Sequence, residues 1–209
     1  IKFVFKTDSK KLFLSSLVKT INTRNFFSFD VLVNDVYIGS LDNYSDVELP
    51  ENYTEEKFPY GDFEKEFDLG EGVKEVKVHL PYSAIAIMKE VSLDDGAFVE
   101  PIEMKKKVLV FGDSITQGSH SEKDSQSYAW LVTRYYDAES MILGVGGANF
   151  YPTTVLDNGF DPDIVIAALG TNDYCGEFTA DEIHSACRAY LDKLCELYPN
   201  KKKFYITPI

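Results

Sequence analysis

The sequence predicts an all-β sandwich followed by a parallel, three-layer α/β/α domain. Three observations predict it. Apolar residues alternate with period two as far as about Met104. Beyond Lys105, continuous apolar runs alternate with helical patterns, and a glycine-containing polar segment follows each of the first three runs. Alternation marks half-buried antiparallel strands, whereas an unbroken apolar run marks a strand covered on both faces. The boundary is placed between 104 and 105, giving a β domain at 1–104 and an α/β domain at 105–209.

In the first part, Phe27, Phe29, Val31 and Val33 alternate with Ser28, Asp30 and Leu32. Asn34-Asp35 supplies a turn before Val36-Tyr37-Ile38. Further on, Val76, Val78 and Leu80 alternate with Lys77 and His79, which places His79 toward solvent. Ile85, Ile87, Val91 and Leu93 continue the alternation. Gly61, Gly70, Gly72, Pro81 and Asp94-Asp95-Gly96 punctuate the runs. Short alternating strands at this spacing read as an antiparallel sandwich of jelly-roll type, with the aromatics in its core.

Lys105-Lys106-Lys107 is a solvated junction. Val108-Leu109-Val110-Phe111 is the first buried strand, followed by a polar loop and a helix from about Ser125 to Tyr136. A strand near Ser140–Leu143, a glycine-rich loop and a strand at Ile164–Leu169 come next. Thr179 opens the clearest helix, with Glu182 three residues on forming a capping box. Ile183, Cys187, Tyr190, Leu191, Leu194 and Leu197 give it an apolar stripe, and Tyr198-Pro199-Asn200 ends it. Phe204-Tyr205-Ile206 starts a further strand. Such β/α alternation implies a parallel sheet with right-handed crossovers.

Composition narrows the function. The 209 residues carry a formal charge of −13. The isoelectric point near 4.6 opposes nucleic-acid binding, which needs cationic surface to displace counterions, and opposes docking on anionic membranes. No apolar run approaches the ~20 residues of a membrane span. The three cysteines, Cys175, Cys187 and Cys195, have neither disulfide nor metal-ligand spacing and read as small buried thiols. No cofactor and no metal is implied. No export-signal pattern follows Ile1, which tilts the location toward the cytoplasm.

The chemistry should lie at the carboxyl ends of the parallel strands, where open sheets bind ligands. Three segments fall there: Gly112-Asp113-Ser114-Ile115-Thr116-Gln117-Gly118, Gly144-Val145-Gly146-Gly147-Ala148-Asn149 and Gly170-Thr171-Asn172-Asp173. Ser114, where a strand turns into a loop, presents its hydroxyl as a nucleophile. Gly147, lacking a Cβ, lets its backbone N–H approach a substrate oxygen. Asn172 adds an amide donor. With the Ser114 N–H these form a three-donor oxyanion hole, each donor worth ~3–4 kcal/mol in the transition state. Asp113 and Asp173 are expected to fix the loops through backbone hydrogen bonds.

These blocks resemble those of the GDSL, or SGNH, hydrolases. Gly112-Asp113-Ser114-Ile115-Thr116 is similar to the first block, Gly144–Gly147 to the second and Gly170-Thr171-Asn172-Asp173 to the third. The resemblance runs from about Lys107 to Ile209. It implies a flavodoxin-like fold, Ser114 as nucleophile, and Gly147 and Asn172 as oxyanion donors. The stretch before it, with Leu80-Pro81-Tyr82 and Leu93-Asp94-Asp95-Gly96-Ala97, is similar to the jelly-roll partner of bacterial carbohydrate esterases. The expected substrate is a small acyl ester, most simply acetyl, on a carbohydrate or another small molecule.

The family also carries a base in an Asp-x-x-His block near its C-terminus, and nothing after Phe204 supplies one. His79 belongs to the β domain. His120 follows the nucleophile loop without an orienting acid. Asp181-Glu182-Ile183-His184 spells the motif, but it opens a helix between two strands, where the macrodipole favours acidic residues anyway. The chain is therefore read as ending before the final catalytic block, with the base supplied by a missing C-terminal segment or a partner chain. In that form it would be inactive. Two other readings stand beside the esterase: a non-catalytic carbohydrate binder on the same scaffold, and a nucleotide binder at Gly144–Asn149, disfavoured because Asn149 stands where the dinucleotide fingerprint has its third glycine.

Overall fold

The computed structural model describes residues 2–21, 26–45, 58–82, 84–119 and 121–208. The chain forms two compact units. The first comprises Ile1–Glu103 with Glu122–Ser125, and the second Met104–Ser121 with Gln126–Ile209.

The first unit contains β1 (Lys2–Thr7), β2 (Lys11–Ile21), β3 (Ser28–Val33), β4 (Val36–Asp42), β5 (Gly61–Asp68), β6 (Lys74–His79), β7 (Ala84–Leu93) and the short β8 (Glu100–Pro101). They form two antiparallel sheets, ordered β4-β3-β6-β1-β8 and β5-β2-β7. Asn34 and Asp35, at φ 49° and 65°, make the two-residue turn between β3 and β4, where a hairpin's twist demands left-handed residues. The core between the sheets holds Leu12, Leu14, Val18, Phe27, Phe29, Val31, Val76 and Val78.

Two expectations for this unit are corrected. His79 does not face solvent; it is only 2% exposed. It pairs in register with Asp30 of β3, and cross-strand partners share a face. That face is covered as well as the inner one: Ser28 and Asp30 are fully buried, and Glu122–Ser125 packs there. Lys77 is likewise buried, its ammonium 2.9 Å from Asp35 and 2.8 Å from Glu75. Burial favours its neutral form, but these two carboxylates outweigh that and raise its pKa. On β7 the phase is the reverse of a hydrophobicity ranking, since Ile85 and Ile87 are exposed while Ala84, Ala86 and Met88 pack on the core.

The second unit has a four-stranded parallel sheet in the order β10-β9-β11-β12. Its strands are β9 (Lys106–Gly112), β10 (Ala138–Gly144), β11 (Ile164–Ala168) and β12 (Lys202–Ile206). Its helices are α1 (Ser114–Gln117), α2 (Tyr128–Tyr135), α3 (Thr171–Cys175) and α4 (Ala180–Leu197). Alternate strand residues point to opposite faces. Val108, Val110, Ile164 and Ile166 meet Ala129 of α2, while Leu109, Phe111, Val165 and Ala167 meet Tyr190 and Leu194 of α4. This is the three-layer arrangement expected.

Thr179 caps α4, and the Glu182 carboxylate accepts the Thr179 N–H at 2.8 Å, so the capping box is complete. The helix expected from Ser125 begins only at Tyr128, capped by Ser127, because Glu122–Ser125 is part of the first unit. The cysteines are free, as expected, but not buried. Cys175 and Cys195 are exposed and Cys187 is half-buried. Cys195 follows the buried Leu194, and one step along a helix turns ~100° off the apolar stripe. On β12, Phe204 and Ile206 are 48% and 39% exposed.

Candidate active site

Three strand ends build the site. β9 ends at Gly112, where a Cβ would overlap the Thr116 side chain and stand 2.8 Å from the Ala168 carbonyl; only glycine fits. Asp113 then caps α1, its Oδ1 accepting the Ile115 N–H at 2.9 Å. This capped turn lifts Ser114 off the end of the strand. Gly144, at the end of β10, has no room for a Cβ either: Gln117 Cα and the Thr116 carbonyl carbon would lie 2.7 and 2.8 Å away. The α1 backbone therefore rests directly on β10. From the other side, the Tyr128 hydroxyl lies 2.6 Å from Thr116 Oγ1. Burial raises the Tyr128 pKa, the Thr116 bond opposes that, and Asp113 adds to it. Ser114 is half-buried and its Oγ makes no hydrogen bond among the described residues.

The second loop turns back over the first, with Val145 N–H bonded to the Gly112 carbonyl at 3.0 Å. A Cβ on Gly146 would lie 4.0 Å from Ser114 Cβ, which puts this loop beside the serine. Gly147 follows at φ +75°, a left-handed conformation that side chains disfavour. The space where its Cβ would stand is open, so backbone conformation rather than crowding calls for glycine here.

The third loop locks onto the second. Asn172 Nδ2 donates to the Ala148 carbonyl at 2.9 Å, one residue beyond Gly147. Asp173, 4% exposed, accepts the Phe150 N–H on Oδ1 at 3.2 Å, while its Oδ2 has no partner among the described residues. Ser114, Gly147 and Asn172 are thus gathered at the carboxyl edge of the sheet. One amide hydrogen of Asn172 is committed to Ala148, which orients the group and leaves its second hydrogen to donate. A hydroxyl beside backbone N–H groups and an oriented amide is suited to acyl transfer. The glycine-rich second loop opens onto no helix; a single 3-10 turn appears at Pro152–Thr154. The helix N-terminus that a dinucleotide phosphate needs is therefore missing from this loop.

Of the three histidines, two are among the described residues. His79 is buried in the first unit, and His120 is outside the described residues. His184 is exposed in the first turns of α4 and lines a pocket of about 610 Å³ with Phe150, Ile183, Cys187, Tyr205 and Pro208. Neither described histidine is hydrogen-bonded to Ser114. In the Asp181-to-His184 stretch, Glu182 is used by the helix cap: the Thr179 N–H, then its hydroxyl, holds the Glu182 carboxyl below its usual range. Among the described residues no cluster of three or more His, Cys, Asp or Glu could hold a metal, and no helix is long and apolar enough to cross a membrane. Thr116 and Tyr128 were not legible as site-building residues. Nothing in the sequence signals a hydroxyl pair whose partners meet only in the fold.

Residues 110–209 match the model of the GDSL-like Lipase/Acylhydrolase family. An acetylxylan esterase / glucomannan deacetylase of Cellvibrio japonicus is 26% identical over 125 residues, 42% of this chain and 35% of that protein. Among solved structures, a salicylyl-acyltransferase from a tetracycline biosynthetic pathway superposes with a TM-score of 0.70 at 18% identity, covering 97% of this chain and 56% of that one. A family two carbohydrate esterase from Clostridium thermocellum, in complex with cellohexaose, gives 0.69 at 14% identity, covering 98% and 70%. The chain thus spans about a third of the curated relative and little more than half of the acyltransferase.

Proposed function

We propose, from the premise that residues 110–209 are a GDSL-like lipase/acylhydrolase domain, that this protein is a serine esterase removing small acyl groups, most simply acetyl, from carbohydrate. The observation that carries the reading is the gathering of Ser114, Gly147 and Asn172 by three interlocked strand-end loops. Ser114 Oγ would attack the ester carbonyl while a base takes its proton. Carbonyl electrons would move onto an oxygen held by the Ser114 and Gly147 N–H groups and by Asn172 Nδ2. The sugar hydroxyl would leave with that proton, and water would release the acid from acyl-Ser114. The carbohydrate and acetyl assignments are supported by the names of the Cellvibrio japonicus and Clostridium thermocellum proteins.

The scheme needs a base that neither described histidine gives to Ser114. His120, a segment outside these 209 residues or a partner chain would have to supply it. The test uses the complete product of the gene, with p-nitrophenyl acetate and acetylated xylan as substrates, beside Ser114→Ala. Hydrolysis that vanishes in the variant is expected. Equal rates in the two proteins would defeat the esterase reading, and saccharide binding without any hydrolysis would favour a non-catalytic binder.

A further inference from the structure

Ser114 opens a helix too short to hold itself. α1 has four residues, and a single turn gains too few hydrogen bonds to offset the cost of nucleation, so its place is set by what touches it. On one side is β10, whose Gly144 leaves no gap beneath the α1 backbone. On another is α2, which reaches α1 through the Tyr128 hydroxyl, 2.6 Å from Thr116 Oγ1. Thr116 is fully buried and Tyr128 half-buried. The Thr116 side chain also fills the space that a Cβ on Gly112 would need, so it stands between the end of β9 and the Tyr128 hydroxyl.

α2 is itself fixed to the sheet. Ser127 caps it. Ala129 is buried among Val108, Val110, Ile164 and Ile166, and Tyr128, Val132 and Tyr136 pack on the same cluster. Tyr128 therefore joins a helix seated on the core to the turn that carries Ser114. Burial raises the phenol above its ordinary pKa, the Thr116 bond opposing and Asp113 adding to it, so the hydroxyl keeps its proton at neutral pH. Thr116 cannot turn to bulk water, and a buried hydroxyl deprived of its partner is costly.

We propose that Tyr128 is a positioning residue for Ser114: its hydroxyl, through Thr116 Oγ1, ties the nucleophile turn to α2 and fixes where Ser114 stands. β9, α1, β10 and α2 all belong to the second unit. This rests on Ser114 being the nucleophile of the proposed esterase. Tyr128 acts through Thr116, two residues from Ser114, so its loss should change the rate of attack and leave binding as it is.

The test compares wild type, Tyr128→Phe, Thr116→Val and the double variant in the complete protein. It reads denaturant unfolding, hydrogen exchange, and Ser114 labelling by a fluorophosphonate resolved into affinity and inactivation rate. The Gln117, Gly118 and Ser119 amides bond to the Asp113 and Ser114 carbonyls and report on the turn, while the Leu131 and Tyr136 amides, bonded to the Ser127 and Val132 carbonyls, report on α2. All three variants should slow inactivation about fivefold at unchanged affinity and speed exchange at 117–119 by a similar factor, the net worth of one neutral hydrogen bond. Each single variant strands a hydroxyl and should unfold at lower denaturant. The double variant strands none, so it should regain most of that stability and keep wild-type exchange at 131 and 136, without regaining the labelling rate. That split separates positioning from mere support of the fold. Inactivation that recovers in step with stability in the double variant, or exchange there that rises equally in α1 and α2, would overturn the proposal. So would labelling of Tyr128→Phe at the wild-type rate, which decides the matter if Thr116→Val does not fold. If wild type takes no label at Ser114, the nucleophile reading fails, and exchange at 117–119 still decides whether Tyr128 holds the turn.

Discussion

Two glycines and one amide set the geometry at Ser114, and each can be tested by a single substitution. Gly144→Ala would drive a methyl into the α1 backbone. Main chain cannot rotate away, so we expect the overpacking cost of about 1–3 kcal/mol, read by denaturant unfolding, together with loss of Ser114 labelling. A variant as stable as wild type would mean that α1 shifts freely on β10. Asn172→Ala should lower kcat of the active protein about 10²–10³-fold with little change in KM, since an oxyanion donor acts in the transition state; a loss in KM alone would make Asn172 a ground-state contact. The candidate residues were legible because each sits in a short polar segment at a strand end. The burial of His79 was not. Period two identifies a strand's alternate residues, but the segment that covers the outer face of β3 comes from 95 positions downstream of Asp30, and local pattern carries no trace of it.

At the scale of elements, α4 was fully legible, because capping box and apolar stripe are both local. Its cap yields a prediction: Thr179→Ala should cost about 1 kcal/mol, visible as a Tm lower by a few degrees. The Glu182 carboxyl, held low by the Thr179 N–H and hydroxyl, gives the cap a pH dependence. A depressed folded pKa means the contribution is present above the unfolded value of about 4.3 and fades as pH falls through the folded one. The Tm gap between wild type and Thr179→Ala should therefore narrow under acid and hold steady from pH 6 to 8; a gap constant down to pH 3 would count against the carboxylate's part. β7 shows where pattern misleads. Register seats Ala86 beside the buried Val18, so the small residues face the core and Ile87, beside Leu17, faces out.

The whole molecule carries a charge of −13, and self-repulsion at such imbalance works against any compact state. Unfolding should accordingly move to higher temperature between about 10 mM and 300 mM sodium chloride, where the Debye length shrinks from ~30 Å to below 8 Å; a Tm that falls with salt would show that attractive pairs such as Lys77 with Asp35 and Glu75 dominate instead. The division into a β part and an α/β part was readable from the change of hydrophobic period near Lys105. What could not be read is that the first unit takes back four residues from beyond that point. This has a consequence for inheritance and for engineering. A crossover near residue 104, which looks like a clean seam between modules, would hand the sandwich a foreign Glu122–Ser125 strip, so a graft that respects the fold must carry Asp30 and that strip from the same parent.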